Sequence, residues 1–361
     1  MQESQQIHEA RLLADIGGTN ARFALELASG AICRIQTLAT LDFPRFEDAA
    51  LHYLQMHADL TVRHAVIAIA NPVGQDAIKM TNHHWAFSVA AAKQTLGLHT
   101  LLMVNDFSAL AMAVPTLQVN ELRKIGGGYA RKDSVIGILG AGTGLGVGAL
   151  VPDQGAWKSL QSEGGHVAFS PADEREVAVL RYCWEQYQHV STERLASGPG
   201  IALIHAALAA SAGRVIDHTL TTEMIVANGL NGDAVCLETL DCFCGMLGTF
   251  AANLAVTLFA QGGIYIGGGV VPRLGGFFAR SSFRHCFEKK GRFSDFTAQI
   301  PTYVITAQQP ALTGASVLLA QHLQGHSRAL PIVSATPHSE IKSSLVQLEK
   351  SINRDKDYAA I

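Results

Sequence analysis

Charge is scarce in this chain. Only 16% of its 361 residues are Asp, Glu, Lys or Arg, against about 25% in an average globular protein. Neither sign dominates: 27 basic side chains face 30 acidic ones, for a net charge of -3. Nothing therefore points to nucleic acid or to an anionic membrane surface as a partner. Cysteine is sparse, at positions 33, 183, 236, 242, 244 and 286, which excludes a disulfide scaffold. The close pair Cys242-Phe-Cys244 stands without any CxxC, which argues against a zinc ribbon. Reduced, mostly buried thiols in a cytoplasm fit better. No Gly-Lys dipeptide occurs, so there is no Walker A loop, and no strict GxGxxG occurs, which weakens a dinucleotide-binding enzyme or a protein kinase. A run of about 20 uniformly apolar residues is also missing. Residues 135–151 carry six glycines, and residues 233–262 hold Glu238, Asp241 and Asn253. The opening MQESQQIHEAR lacks the basic-then-apolar order of a secretory leader, and the closing DYAAI is no retention or peroxisomal address. The expectation is a soluble, cytoplasmic protein.

What is present is apolar surface, at 48% of residues, and glycine, at 34. The length suggests two domains at roughly 150 residues each. Leu12-Leu13-Ala14 runs into Asp15-Ile16-Gly17-Gly18-Thr19-Asn20 and then Phe23-Ala24-Leu25, a strand, glycine turn and strand. The pattern restarts at Val135-Ile136-Gly137-Ile138-Leu139, turns through Gly140-Ala-Gly-Thr-Gly-Leu-Gly146, and returns. Two related α/β domains follow from this weak repeat, each with a mixed sheet that opens on a hairpin. Apolar spacing predicts a helix over 173–188 with Val177, Leu180, Trp184 and Tyr187 inward. It predicts a long helix over 233–261 with Leu237, Leu240, Cys244, Leu247, Ala251, Leu254 and Leu258 on one face, ended by Gly262-Gly263. From Ser327 the composition changes. Ile341, Leu345, Leu348 and Ile352 then mark one short amphipathic helix, either folded back on the body or making a subunit contact.

Three glycine turns each follow an apolar strand: DIGGTN, GAGTGLG and IGGGVV. Backbone N–H groups without a Cβ in the way suit phosphate oxygens. With the commoner phosphate loops absent, a nucleotide clamped between two domains by hairpin loops remains. Asp15 then stands where it reaches a hydrated Mg²⁺ beside the phosphates, or caps its own turn; the two are compatible. Asn105-Asp106 falls at the carboxyl end of a buried strand, where α/β folds place ligands. Asp106 there either accepts a proton from an attacking hydroxyl or caps a helix starting at Phe107. Glu163-Gly164-Gly165-His166 sets a carboxylate and an imidazole around two glycines, too few ligands for a metal. Glu193 precedes the turn Ser197-Gly198-Pro199-Gly200, as a further acid on a loop. Acids, an amide and an imidazole on glycine-rich loops suit a polyhydroxylated ligand better than an anionic one.

ADIGGTNARFAL, AIANPV, MTNHHWAFS, VNDFSALAMAVP, GAGTGLGV, EGGHVAFSP, HVSTERLASGPG, IGGGVVPR and FEKKGRF resemble, in order, the bacterial glucokinase family. These are ATP-dependent enzymes of the hexokinase and actin-like superfamily. The likeness spans about residues 12–325 and is closer than to the repressor/ORF/kinase group, whose cysteine-rich zinc motif is absent. It implies an α/β, two-domain actin-like ATPase (ribonuclease H-like) fold with an inter-domain cleft. Residues 1–116, completed by a helix near 311–325, would form the small domain, 117–310 the large one, and 326–361 an extension. The implied activity is transfer of the γ-phosphoryl group of MgATP to the 6-hydroxyl of glucose, in a homodimer. Asp106 matches the catalytic base. Asn105, Glu163, His166 and Glu193 match residues that bind the other sugar hydroxyls. Gly17, Gly18 and Thr19 match the first phosphate loop, Gly142 and Thr143 the second, and Gly267, Gly268 and Gly269 the nucleotide-side loop. Mannose or N-acetylglucosamine kinases would use a similar acceptor set. A non-catalytic sugar sensor on this fold would lack the Asp106 carboxylate or add a DNA-binding segment, and neither is seen.

Overall fold

The computed structural model describes residues 9–71, 73–80 and 83–325. The expected extension over 326–361, with its amphipathic helix, lies outside the described residues, as do Pro72, Thr81 and Asn82 of the resemblance motifs. The chain divides into a unit ending at Leu319 and a second unit from Ala320 onward, of which residues 320–325 are described.

In the first part of the chain, β1 (Glu9–Ile16), β2 (Asn20–Leu27), β3 (Ile32–Ala39) and β4 (Thr61–Ile69) come first. A short antiparallel pair, β5 (Ala77–Lys79) and β6 (Ala86–Ser88), precedes β7 (Thr100–Asn105). The main sheet has the order β3-β2-β1-β4-β7. Its β1–β2 and β2–β3 pairs are antiparallel, and β1–β4 and β4–β7 are parallel. Further on come β8 (Leu122–Ile125), β9 (Ile136–Ala141), β10 (Leu145–Asp153), β11 (Ala156–Ser162), β12 (Ile264–Gly267) and β13 (Thr302–Ile305). They form a second sheet in the order β11-β10-β9-β12-β13-β8. Its first five positions repeat the antiparallel, antiparallel, parallel, parallel pairing of the first sheet. Both hairpins expected from the sequence are present, β1–β2 and β9–β10.

The packing explains the run-like sequence of the parallel strands. All six residues of β9 are buried, as are the last five of β4, because both faces of these central strands are covered. One core joins Leu12, Ile16, Phe23 and Ile67 to Phe46 and Tyr53 of the helix Phe46–Met56. Phe23 and Tyr53 stack with ring centres 5.3 Å apart. The larger core surrounds the helix Ala234–Leu258, which is buried on most sides. That helix is long and apolar enough to cross a membrane, and 67% of its most apolar stretch lies inside the fold.

Several local expectations shift. The long helix starts after Asp233, whose carboxylate accepts the Cys236 N–H at 2.8 Å. It ends at Leu258, before the expected Gly262-Gly263, because Phe259 takes the left-handed conformation (φ 52°) and stacks on Phe296. Leu237, expected inward, is exposed. The helix expected over 173–188 is Glu174–Trp184, so Trp184 falls in its last turn and is exposed, and Tyr187 lies beyond it.

Candidate active site

Strand direction gathers the expected residues. β1, β4 and β7 run parallel in one sheet, and β9, β12 and β13 in the other. Asp15, Gly17, Gly18 and Thr19 fall at the carboxyl end of β1, Asp106 follows β7, Gly142 and Thr143 follow β9, and Gly268 and Gly269 follow β12. The open carboxyl ends of such strands are where α/β sheets bind ligands. A cavity of about 450 Å³ is lined there by Asp15, Arg22, Asp106, Phe107, the three glycines 267–269 and Gln309.

The Asn105-Asp106 pair has its roles split by the backbone. The helix runs over Asp106–Ala113, one residue earlier than expected, and its cap is Asn105, whose Oδ1 accepts the Ser108 N–H at 3.1 Å. Asp106 is thereby relieved of capping. Its Oδ1 accepts the Phe107 N–H at 2.9 Å, and the carboxylate lines the cavity. Burial pushes the Asp106 carboxyl up to about 6; the Phe107 N–H opposes this, and the charges of Asp15 and Glu163 reinforce it. A carboxylate held near neutrality on a cavity makes Asp106 a candidate proton acceptor. Asn105 keeps its Nδ2, which reaches the Asn71 carbonyl at 3.5 Å.

Burial also raises the Asp15 carboxyl, and the Arg22 guanidinium, 3.3 Å away, pulls it back. The pair is built into the β1–β2 hairpin, since Asp15 and Arg22 face each other in register. Among the described residues no group of three or more His, Cys, Asp or Glu side chains is placed to hold a metal ion. Asp15 and Asp106 are the carboxylates that line the cavity, and a hydrated Mg²⁺ needs only one or two such ligands besides phosphate.

The remaining polar residues form a second group. His166 lies between two carboxylates, with Nε2 3.9 Å from Glu163 Oε2 and Nδ1 3.9 Å from Glu193 Oε1. These gaps are too long for direct hydrogen bonds. Glu193 is fixed by its other oxygen, which accepts the Leu145 N–H at 2.8 Å. Residues from two loops, expected separately from sequence, are thus brought together beside the turn between β9 and β10.

The glycine turns divide their labour. The Gly17 N–H is used within its turn, to the Asn20 carbonyl at 2.9 Å, whereas Gly18 and Thr19 donate to no backbone partner among the described residues. Gly142 and Gly269 face open space. Gly268 has φ +79° and sits against the Ala141 backbone, where no side chain fits. Three contributors were not expected from sequence: Arg22, Phe107 and Gln309. Gln309 follows β13 in the left-handed region (φ 55°), with Oε1 buried and unpartnered among the described residues. The Arg22 Nε is in the same state. A sequence signal existed only for Arg22, whose hairpin register places it opposite Asp15.

Twin sheets of this order, with acids and glycine turns at the carboxyl ends of their parallel strands, define an actin-like α/β fold. The chain belongs to the glucokinase family, whose model matches residues 12–322. A glucokinase of Chromobacterium violaceum is 51% identical over 327 residues, covering 90% of this chain and 94% of that protein. The "Bifunctional protein glk" of Burkholderia thailandensis is 53% identical over 324 residues, 90% of this chain and 50% of that protein. The chain thus spans about half the length of the Burkholderia relatives it matches. A crystal structure of a glucokinase from an Antarctic psychrotroph superposes with a TM-score of 0.79 at 36% identity, covering 87% of this chain and 99% of that one.

Proposed function

We propose that this chain transfers the γ-phosphoryl group of ATP to the 6-hydroxyl of glucose, giving glucose 6-phosphate at the entry to glycolysis. One observation carries the reading: Asp106, with its raised proton affinity, shares a cavity with the glycine loop 267–269. A base and a phosphate loop on one cavity are what phosphoryl transfer to an alcohol requires. The Chromobacterium relative, named a glucokinase, matches over nearly its whole length.

In this reading the lobe of residues 1–116, with the helix Pro310–Leu323 beside it, and the lobe of residues 117–310 close on the substrates. Asp106 orients the 6-hydroxyl and takes its proton. Asn105, Glu163, His166 and Glu193 hold the other hydroxyls; the 3.9 Å gaps beside His166 leave room for hydroxyl groups to bridge. The amides of Gly18, Thr19 and Gly269 and the Arg22 guanidinium face the phosphates, while the Gly142 N–H closes its own turn on the Gly144 carbonyl at 2.8 Å and leaves open space beside it. Asp15 would hold a hydrated Mg²⁺, which would supply charge neutralisation on the phosphates. Closure excludes water, which would otherwise take the phosphoryl group. The protein works as a cytoplasmic homodimer.

The test is ADP release from MgATP with and without glucose, mannose, fructose and N-acetylglucosamine. Release driven by glucose far above the other sugars is expected. Preference for another hexose would replace the substrate, and binding of sugar without turnover would overturn the kinase reading. Glu163→Gln removes an ionised acceptor worth roughly 1.5–3 kcal/mol. Glucose Kd is expected to rise about 10- to 100-fold by calorimetric titration. An unchanged Kd would remove Glu163 from the sugar site.

A further inference from the structure

Phe107 follows the proposed base directly, and its surroundings are unusual. The helix Asp106–Ala113 leaves the end of β7 in the first sheet, yet the Phe107 ring is seated on the second sheet. A methyl group at Gly146 of β10 would fall within the Phe107 ring. A methyl group at Gly140 of β9 would lie 2.9 Å from the ring Cζ and 2.8 Å from the Gly267 carbonyl carbon. One turn further along the helix, Leu110 presses on Gly267 itself, where an added methyl group would meet its Cδ2 at 2.6 Å. The slot that receives the ring is therefore made by two missing side chains, and its wall continues into the glycine loop 267–269. Phe107 also donates its N–H to Asp106 Oδ1 and lines the cavity.

We infer that Phe107 is the positioning residue of the site: its ring, locked between Gly140 and Gly146, sets where the Asp106 carboxylate stands relative to the nucleotide loop. The inference rests on Asp106 being the base. It explains why GAGTGLG holds more glycines than a phosphate turn needs. Gly142 is the open one, and Gly140 and Gly146 serve the ring. A flat ring in a close-fitting slot has little freedom to shift, so the N–H that follows the base is held in place. Displacement of a reacting group by about 1 Å can cost 100-fold in rate.

The experiment compares Phe107→Ala, Phe107→Leu and Gly146→Ala in the full chain, by kcat, glucose Kd, melting temperature and the pH profile of kcat/KM. Phe107→Ala and Gly146→Ala are each expected to lower kcat about tenfold or more, with glucose Kd within about threefold. Phe107→Leu, which keeps apolar bulk, is expected to fall between them and the parent. The acid limb of the profile should move to lower pH in Phe107→Ala. Burial is the largest cause of the raised Asp106 carboxyl, and the vacated ring space admits water beside it. This outweighs a loosened Phe107 N–H bond, while Asp15, held by Arg22, and Glu163 still raise the carboxyl. The double variant Phe107→Ala with Gly146→Ala should turn over faster than Gly146→Ala alone, because the methyl group then occupies vacated space. If the Phe107 variants keep parental kcat and the parental acid limb, whatever their melting temperature, Phe107 is a core side chain and the inference is overturned. Asp106→Asn separates the two readings. An active Asp106→Asn removes the base itself, whereas an inactive one beside unimpaired Phe107 variants removes only the role of Phe107.

Discussion

Asp106→Asn is expected to lose about 10²- to 10⁴-fold in kcat, to keep glucose binding, and to melt at a higher temperature than the parent at pH 7. The last effect follows from the direction of the carboxyl's shift. Folding raises Asp106 from 3.8 to about 6, so the folded protein holds this proton more tightly than the unfolded chain. Between those two values the unfolded state loses its proton first. The stability of the parent therefore falls as pH rises from about 4 to about 6, and the deficit persists above that window. Two pH units correspond to roughly 3 kcal/mol as an upper bound. An amide avoids the cost of burying a charge and still accepts the Phe107 N–H. Differential scanning calorimetry at pH 7 and pH 4 checks this, since the gain should be present at pH 7 and nearly gone at pH 4. An equal difference at both values would mean that Asp106 is not held above its ordinary range. In the parent, the same shift makes kcat/KM fall as pH drops through about 6, where the base becomes protonated.

Much of this site was legible in the residues because its parts sit at strand ends. Apolar runs give the strands, glycine turns give their ends, and Asp15 and Asp106 fall at the carboxyl ends of two parallel strands, the first inside its strand and the second just past it. The repeated opening hairpin was legible too, since both halves run from an apolar strand through a glycine turn into a second strand; the strand order beyond it was not. What could not be read was the division of work among like residues. Asp106 was the expected cap, of a helix starting at Phe107, and the backbone at 105 (φ -69°, ψ 142°) assigns the cap to Asn105 instead. The glycines of GAGTGLG look alike in sequence, yet Gly140 and Gly146 yield to a ring that arrives from the other sheet. Gln309 carries no motif at all; it reaches the cavity through the course of the chain after β13. Helix ends failed for a related reason: Phe259 is no usual stop signal, and its left-handed cap coincides with a stacking contact on Phe296, distant in sequence.

The second large effect concerns a glycine far from every motif. Gly314 lies in the helix Pro310–Leu323, where alanine would ordinarily add about 1 kcal/mol of stability. Here an added methyl group would overlap the Ala109 carbonyl oxygen and lie 2.8 Å from the Ala113 nitrogen. Both atoms are backbone of the helix that begins with Asp106, so no side chain can swing aside to make room. Gly314→Ala must push two helices apart, and overpacking against rigid backbone outweighs the propensity gain. A net loss of about 3 kcal/mol or more is expected, lowering the melting temperature by roughly 6 °C or more. Catalysis should suffer as well, because the displaced helix carries the proposed base, Asp106, and the ring inferred to position it. Gly276→Ala is the control. Its methyl group meets only the end of the Arg280 side chain, at 3.3 Å, and that side chain can move. Close approach at Gly314 also lets Ser316 Oγ donate to the buried Glu26 of β2 at 2.6 Å, which ties the helix Pro310–Leu323 to the first sheet. If Gly314→Ala matches Gly276→Ala in both melting temperature and kcat, the two helices are not held in backbone contact, and the base is positioned by Phe107 and the strand end alone.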